Sequence, residues 1–135
     1  MMPYLLDTNA CVGYLRGRSI AIRDRMMALP AEEVVLCSVV KAELYYGARK
    51  SERLEQNLAV LAVFFERFTS LPFDDPAAET YGRIRAELEA AGTPIGPNDL
   101  LIAAIALSRR VTVITRNTGE FSRVPGLQCE NWEGT

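Results

Sequence analysis

The sequence predicts a three-layer α/β domain with a central parallel sheet of about five strands. Short apolar runs at 4–6, 34–37 and 111–115 show no polar alternation, as expected of strands that are covered on both faces. Segments with helical spacing separate these runs, which favours parallel strands joined by helices. With 135 residues, 49% of them hydrophobic, the chain has the size of one domain that buries its own core. We therefore expect a single domain over residues 1–135.

Capping and helix-breaking residues divide the first half of the chain. Asp7 ends the first apolar run and begins, with Thr8 and Asn9, a set of side chains that favour a helix start. Pro30 ends the second helical segment, and Ser38 is expected to cap the helix after the second strand. The predicted order is a strand at 4–6, helices at 10–15 and 19–29, a strand at 34–37, and helices at 39–50 and 52–68.

Proline and glycine mark the helices of the second half. Asp75 precedes Pro76 and is expected to cap a helix that stops at Gly92. Gly96 and Pro97 open the next helix, whose body at 100–107 is apolar on every side, so we expect it to be deeply buried. The remaining predicted elements are a strand at about 70–73, a β-branched strand at 111–115 and a last short strand at about 127–132.

The composition excludes several kinds of catalytic site. The chain has no histidine, which removes the usual general base, the Ser/His and Cys/His nucleophile pairs, and imidazole metal ligands. Cys11, Cys37 and Cys129 are too few for a four-cysteine zinc site and are expected to be buried apolar side chains. An enzyme of this composition is therefore expected to use carboxylates, hydroxyls, Lys or Arg, together with a hard cation.

Charge and hydropathy bear on the partners and the location of the protein. A formal net charge of −2 argues against nucleic-acid binding over the whole surface but is compatible with a local basic face. Arginine supplies thirteen of the fifteen basic residues, which suits phosphate recognition, although a biased genome gives the same excess. No run is long enough to span a bilayer and no signal peptide is recognisable, so we expect a cytoplasmic protein without membrane contact.

Four acidic residues are candidates for a site at the carboxyl ends of the strands, where open α/β sheets bind ligands. Asp7 follows the first strand, although a helix cap explains it equally well. Glu43 lies on an almost wholly apolar helix face, where a carboxylate needs a partner such as an arginine or a site. Asp99 lies in the first turn of its helix, where the dipole also favours negative charge. Glu120 follows the strand at 111–115, and a surface position is its default alternative.

Carboxylates gathered in one cleft raise one another's pKa values unless a divalent cation neutralises them. Mg²⁺ suits such a cleft because it takes hard oxygen ligands, keeps several waters and binds phosphate oxygens, and Mn²⁺ accepts the same ligands. The ion can acidify a water for attack on a phosphodiester, while a carboxylate such as Glu43 orients or deprotonates that water. This chemistry needs no histidine.

Four segments of the chain form a recognisable set. They are Leu5-Leu6-Asp7-Thr8-Asn9, Val40-Lys41-Ala42-Glu43-Leu44-Tyr45-Tyr46-Gly47-Ala48, residues 92–103, and Val113-Ile114-Thr115-Arg116-Asn117 with Glu120-Phe121 and residues 124–127. Taken together and in this order, they closely resemble the VapC-type toxins of the PIN-domain family. The resemblance implies a PIN-like fold and metal-dependent endonucleolytic cleavage of transfer, ribosomal or messenger RNA, by which the toxin of a type II toxin-antitoxin pair inhibits translation and growth.

The resemblance also implies roles for particular residues. Asp7, Glu43 and Asp99 correspond to catalytic, metal-binding acids. Many PIN domains carry a further aspartate after the fourth strand, near Asn117 here, and Glu120 is expected to replace it as a metal ligand. The supporting positions are Thr8 and Thr115 with their hydroxyls, together with Asn9 and Asn117.

The resemblance further implies partners. A VapB-type antitoxin is expected to wrap the toxin with its C-terminal segment and to block the acidic cleft. The toxin is expected to form a homodimer inside that complex and to reach DNA only indirectly, through the antitoxin.

Other proteins with an acidic magnesium pocket explain the sequence less well. A haloacid-dehalogenase-type phosphotransferase needs a second aspartate where this chain has Asn9, and a response-regulator receiver needs paired acids near Asp7 and a lysine where this chain has Arg116. A catalytically silent PIN scaffold that binds antitoxin or RNA is the remaining alternative. It would bind antitoxin without metal-dependent cleavage.

Overall fold

The computed structural model describes residues 3–133 as five strands and seven α-helices, with one turn of 3-10 helix at Ala31–Glu33. The strand bounds confirm the predicted positions to within a few residues. The elements are β1 Tyr4–Leu6, α1 Thr8–Leu15, α2 Ile20–Ala28, β2 Val34–Cys37, α3 Ser38–Lys50, α4 Leu54–Glu66, β3 Thr69–Leu71, α5 Asp75–Ala90, α6 Pro97–Arg109, β4 Thr112–Ile114, α7 Thr118–Phe121 and β5 Cys129–Glu130.

The five strands form one parallel sheet in the order β3-β2-β1-β4-β5, which confirms the predicted fold class. Tyr4 of β1 is in register with Val34 of β2 on one side and Thr112 of β4 on the other. From the central strand β1, the chain adds β2 and then β3 toward one edge of the sheet. It then returns to the centre and adds β4 and β5 on the other side of β1. Because β1 and β4 are neighbours whose connections leave in opposite directions, a crevice is expected beyond their carboxyl ends.

The strands and α6 supply most of the wholly buried core side chains within residues 3–133. Leu5, Leu36 and Val113 have no exposed surface, as expected of strands that are covered on both faces. The five residues at 102–106 of α6 are likewise wholly buried, which confirms the prediction for this helix. Asp99, in the first turn of α6, is therefore attached to a central element of the core.

Two predicted helix caps are wrong. Ser38 does not cap α3, because the helix already includes it and Cys37 occupies the cap position without a side-chain hydrogen bond. Asp74, not Asp75, caps α5: its Oδ1 accepts a hydrogen bond from the backbone N–H of Ala77 at 3.1 Å, and Asp75 lies inside the first turn. Helix α7 and the 3-10 turn were not predicted, because segments of three or four residues show no helical periodicity.

The remaining predictions from composition can be compared with the described residues. Cys11 and Cys37 are buried and free, as expected, whereas Cys129 on β5 is partly exposed. Within residues 3–133, no helix combines the length and the apolar character that crossing a bilayer requires.

Candidate active site

Asp7 lies between β1 and α1, and its carboxylate is almost fully buried, with 4% of the residue exposed. Its Oδ1 accepts a hydrogen bond from the Ala10 N–H at 2.8 Å, and the Thr115 side chain at the end of β4 provides another. Burial raises the pKa of Asp7, and the hydrogen bonds and the nearby Arg116 partly offset that rise. Asp7 is therefore a helix cap and, at the same time, a carboxylate at the β1/β4 crevice.

Glu43 lies in the middle of α3 and turns toward the same crevice. Its Oε1 accepts a hydrogen bond of 2.6 Å from the hydroxyl of Thr8, the residue after Asp7. The partner of this carboxylate is thus a threonine and not the arginine that the sequence left open. This bond places Glu43 beside Asp7, although α3 begins more than thirty residues later.

Glu120 lies on α7 and is held by two groups. Its Oε1 accepts a hydrogen bond from the Gly96 N–H at 2.6 Å, and the Asn117 side-chain amide donates to its other oxygen. Asn117 is itself fixed by a bond of 2.9 Å from its backbone N–H to the Thr115 hydroxyl. A surface role does not describe Glu120, because these contacts anchor it between α6 and the end of β4.

The other three candidate acids all contribute to the raised pKa of Asp99. Loss of solvation raises its pKa to about 7, with further contributions from its hydrogen bond to Glu120 and from the charges of Glu120, Asp7 and Glu43. A hydrogen bond between two carboxyl groups needs a proton on one of them, so Asp99 and Glu120 share a site that disfavours a second negative charge. The four candidate acids are therefore close enough for the charges of three of them to affect the fourth.

The donor chemistry of this region suits a divalent cation. Among residues 3–133, no three acidic or cysteine side chains are already gathered into a group that could hold a metal ion. A fully enclosing cage is not required, however, because Mg²⁺ keeps several waters and binds through one or two carboxylates. The oxygen donors fit such a hydrated ion, and its charge would offset both the burial and the repulsion that raise the pKa of Asp99.

The supporting positions differ in what they contact. Thr8 and Thr115 each hydrogen bond to a candidate acid, and the Asn117 side chain donates a hydrogen bond to Glu120. Asn9 is exposed on α1, and within residues 3–133 its side chain forms no hydrogen bond, since the cap is Asp7. The contribution of Gly96 was missed, and the sequence offered only its place before Pro97 as a signal.

The fold and the acidic crevice define a class of protein. The sequence profile of the PIN domain matches residues 4–127. This match includes all four candidate acids and every strand of the sheet except β5.

Individual relatives narrow the class further. The chain is 42% identical over 132 residues to the tRNA(fMet)-specific endonuclease VapC of Shigella flexneri, covering 98% of this chain and 99% of that protein. It superposes on a chain of the DNA-bound VapBC structure from Salmonella typhimurium with a TM-score of 0.91 at 42% identity, covering 98% of this chain and 99% of that one. It superposes on a chain of VapBC2 from Rickettsia felis, bound to a promoter DNA fragment, with a TM-score of 0.90 at 38% identity, covering 97% of this chain and 99% of that one. The chain belongs to the VapC family of PIN-domain ribonucleases, which confirms the resemblance seen in the sequence.

Proposed function

We propose that this chain is a divalent-metal-dependent endoribonuclease, the toxin of a toxin-antitoxin pair, and that Asp7, Glu43, Asp99 and Glu120 form its active site. The observation that carries the proposal is the convergence of these four carboxylates at the β1/β4 crevice, where burial, together with the neighbouring acids, raises the pKa of Asp99 to about 7. PIN ribonucleases in general depend on divalent metal ions. We take Mg²⁺ as the ion, with Mn²⁺ as a substitute.

In phosphodiester hydrolysis we assign a separate role to each of these side chains. Asp7 and Asp99 would be the principal oxygen ligands of the ion, and Glu120 would support Asp99 through their hydrogen bond. Glu43 uses Oε1 for the Thr8 hydroxyl, which directs its other oxygen to a water that it orients and from which it takes a proton. When bound, the metal ion acidifies water and offsets charge at the phosphate.

The substrate that we propose is the initiator transfer RNA. The support is the Shigella flexneri relative, which is named a tRNA(fMet)-specific endonuclease and is 42% identical across nearly the whole length of both chains. Cleavage of this RNA would stop translation at initiation, which agrees with the action of a toxin.

The partner that we propose is a VapB-type antitoxin. The similar structures from Salmonella typhimurium and Rickettsia felis are VapBC complexes on DNA. For this chain we propose an equivalent cytoplasmic complex that contains a toxin homodimer and touches DNA only through the antitoxin.

A catalytically silent scaffold is the second candidate. It is disfavoured because a protein that only binds partners gains nothing from keeping four carboxylates in mutual repulsion, whereas a metal site requires them.

The deciding experiment is cleavage of purified initiator tRNA by the chain free of antitoxin. We expect fragments with Mg²⁺ or Mn²⁺, none with EDTA, and none from Asp7→Asn or Asp99→Asn. Asp24→Asn is the matched control, since this exposed aspartate lies on α2 and forms only a surface ion pair. Antitoxin binding without cleavage under any metal condition would establish the scaffold, and equal cleavage by the Asp99 variant would point to a contaminant.

A further inference from the structure

An open cleft of about 620 Å³ adjoins the acidic region between α3 and the start of α6. Two of the residues that line it, Thr8 and Glu43, already belong to the candidate active site. A polymer whose scissile phosphate lies at the carboxylates can therefore place a neighbouring unit in this cleft. For a ribonuclease that unit is a nucleotide.

Tyr46 provides the largest exposed apolar surface of the cleft. It follows Glu43 by three residues on α3, so the two side chains lie on the same helix face. The tyrosine is 64% exposed, so most of its ring surface is available for contact with a ligand. Bases of single-stranded RNA stack on such rings without regard to their sequence, because every base presents a π-face.

The charge beside Tyr46 suits a nucleic acid strand. The Lys50 ammonium lies 5.3 Å from the centre of the Tyr46 ring, one turn further along α3. The carboxylates repel a polyanion, so the substrate must gain attraction from contacts outside them. An aromatic ring next to a cation supplies such contacts for a base and its phosphate.

The opposite wall of the cleft contains a polar group that can recognise a base edge. Asn98 is exposed at the start of α6, immediately before Asp99. Its amide can donate and accept hydrogen bonds at the same time, as the edges of bases require. Within residues 3–133 its side chain forms no hydrogen bond that a nucleotide would have to displace.

We propose that this cleft binds the nucleotide next to the scissile phosphate, with the base stacked on Tyr46 and its edge hydrogen bonded to Asn98. The inference rests on the proposed ribonuclease activity and adds a substrate subsite to it. Tyr46 is then a determinant of substrate affinity, and Asn98 determines which base is accepted.

The test measures single-turnover cleavage of initiator tRNA against enzyme concentration, which separates half-saturation from maximal rate. We expect Tyr46→Ala to raise the half-saturating concentration by on the order of tenfold with a smaller effect on the maximal rate. Tyr46→Phe keeps the ring and should stay within about twofold of wild type. Tyr45→Ala is the matched control, because Tyr45 packs edge-to-face on Phe65 at 5.3 Å, away from the cleft.

A second arm replaces each nucleotide that flanks the mapped cut by an abasic one. At one of these positions the abasic RNA should weaken binding to wild type and remove the difference between wild type and Tyr46→Ala. Asn98→Ala should change the preference for the base at that same position and at no other. These effects would not follow from a purely structural role of Tyr46.

Several outcomes would overturn the inference. It fails if Tyr46→Ala cleaves like wild type, or if its defect persists unchanged on every abasic RNA. It also fails if Tyr46→Ala alters only antitoxin binding or the oligomeric state, since the face would then be a protein interface. Wild type that cleaves no RNA with either metal would instead refute the proposed function, and the inference with it.

Discussion

Replacement of Asp99 by asparagine is expected to stabilise the metal-free protein while it abolishes cleavage. The side chain lies near three other carboxylates, and its pKa is about 7 instead of the ordinary 3.8. Because one pKa unit corresponds to about 1.4 kcal/mol, the fully charged group would cost at most roughly 4 kcal/mol. Asp99 is partly exposed, so solvent screening reduces this cost to about 1–2 kcal/mol. Asparagine removes the charge and can still donate a hydrogen bond to Glu120.

The assay is thermal unfolding in EDTA at several pH values. For a chain of this length, about 1–2 kcal/mol corresponds to a rise in Tm of about 3–7 °C. A carboxyl group whose pKa is raised by folding destabilises the fold increasingly as the pH rises from about 4 to about 7. The gain of Asp99→Asn over wild type should therefore be small near pH 4 and full at pH 8, and Mg²⁺ should narrow it by stabilising wild type. An equal gain at both pH values, or a loss of stability at pH 8, would refute the reasoning.

Four further predictions concern single side chains. Thr8→Val removes the 2.6 Å hydrogen bond to Glu43 and should lower kcat/KM on the order of tenfold or more, with circular dichroism unchanged; unaltered kinetics would mean that the bond does not position Glu43. Glu43→Gln should abolish cleavage yet still bind tRNA in a gel shift, whereas retained cleavage would exclude it as the proton acceptor. Glu120→Ala leaves the Gly96 N–H without its acceptor and should weaken Mg²⁺ binding in titration calorimetry, an effect that Glu79→Ala on the exposed face of α5 should not reproduce. Ile102→Ala creates a cavity in the core and should cost about 2–5 kcal/mol in urea unfolding; a cost below about 1 kcal/mol would contradict the central position of α6.

The sequence was sufficient where one local signal determined the structure. The apolar run of β1 ended by Asp7, and the continuous apolar body of α6, each define an element without reference to distant residues. The caps of α3 and α5 were misplaced by one residue, because several polar side chains at a helix start compete for the cap and tertiary packing selects among them.

The sequence could not provide the partners of the acids. Glu43 and Thr8 are 35 residues apart, and Glu120 and Gly96 are 24 apart. The parallel sheet, which brings the ends of β2, β1 and β4 side by side, makes these contacts possible. The sequence was enough to propose the four acids as a set, but the residue that each acid contacts is determined by the folded chain.

The burial of α6 has a consequence for how the enzyme can be controlled. Residues 102–106 have no exposed surface, so amide protons there should exchange with solvent only when the whole domain unfolds. Asp99 lies in the first turn of that same helix, so displacing the backbone of the helix that carries it would disturb the core. We therefore expect the enzyme to be controlled by a partner that occupies the entrance to the site, and not by distortion of the site itself. Activity should then return when that partner leaves or is degraded.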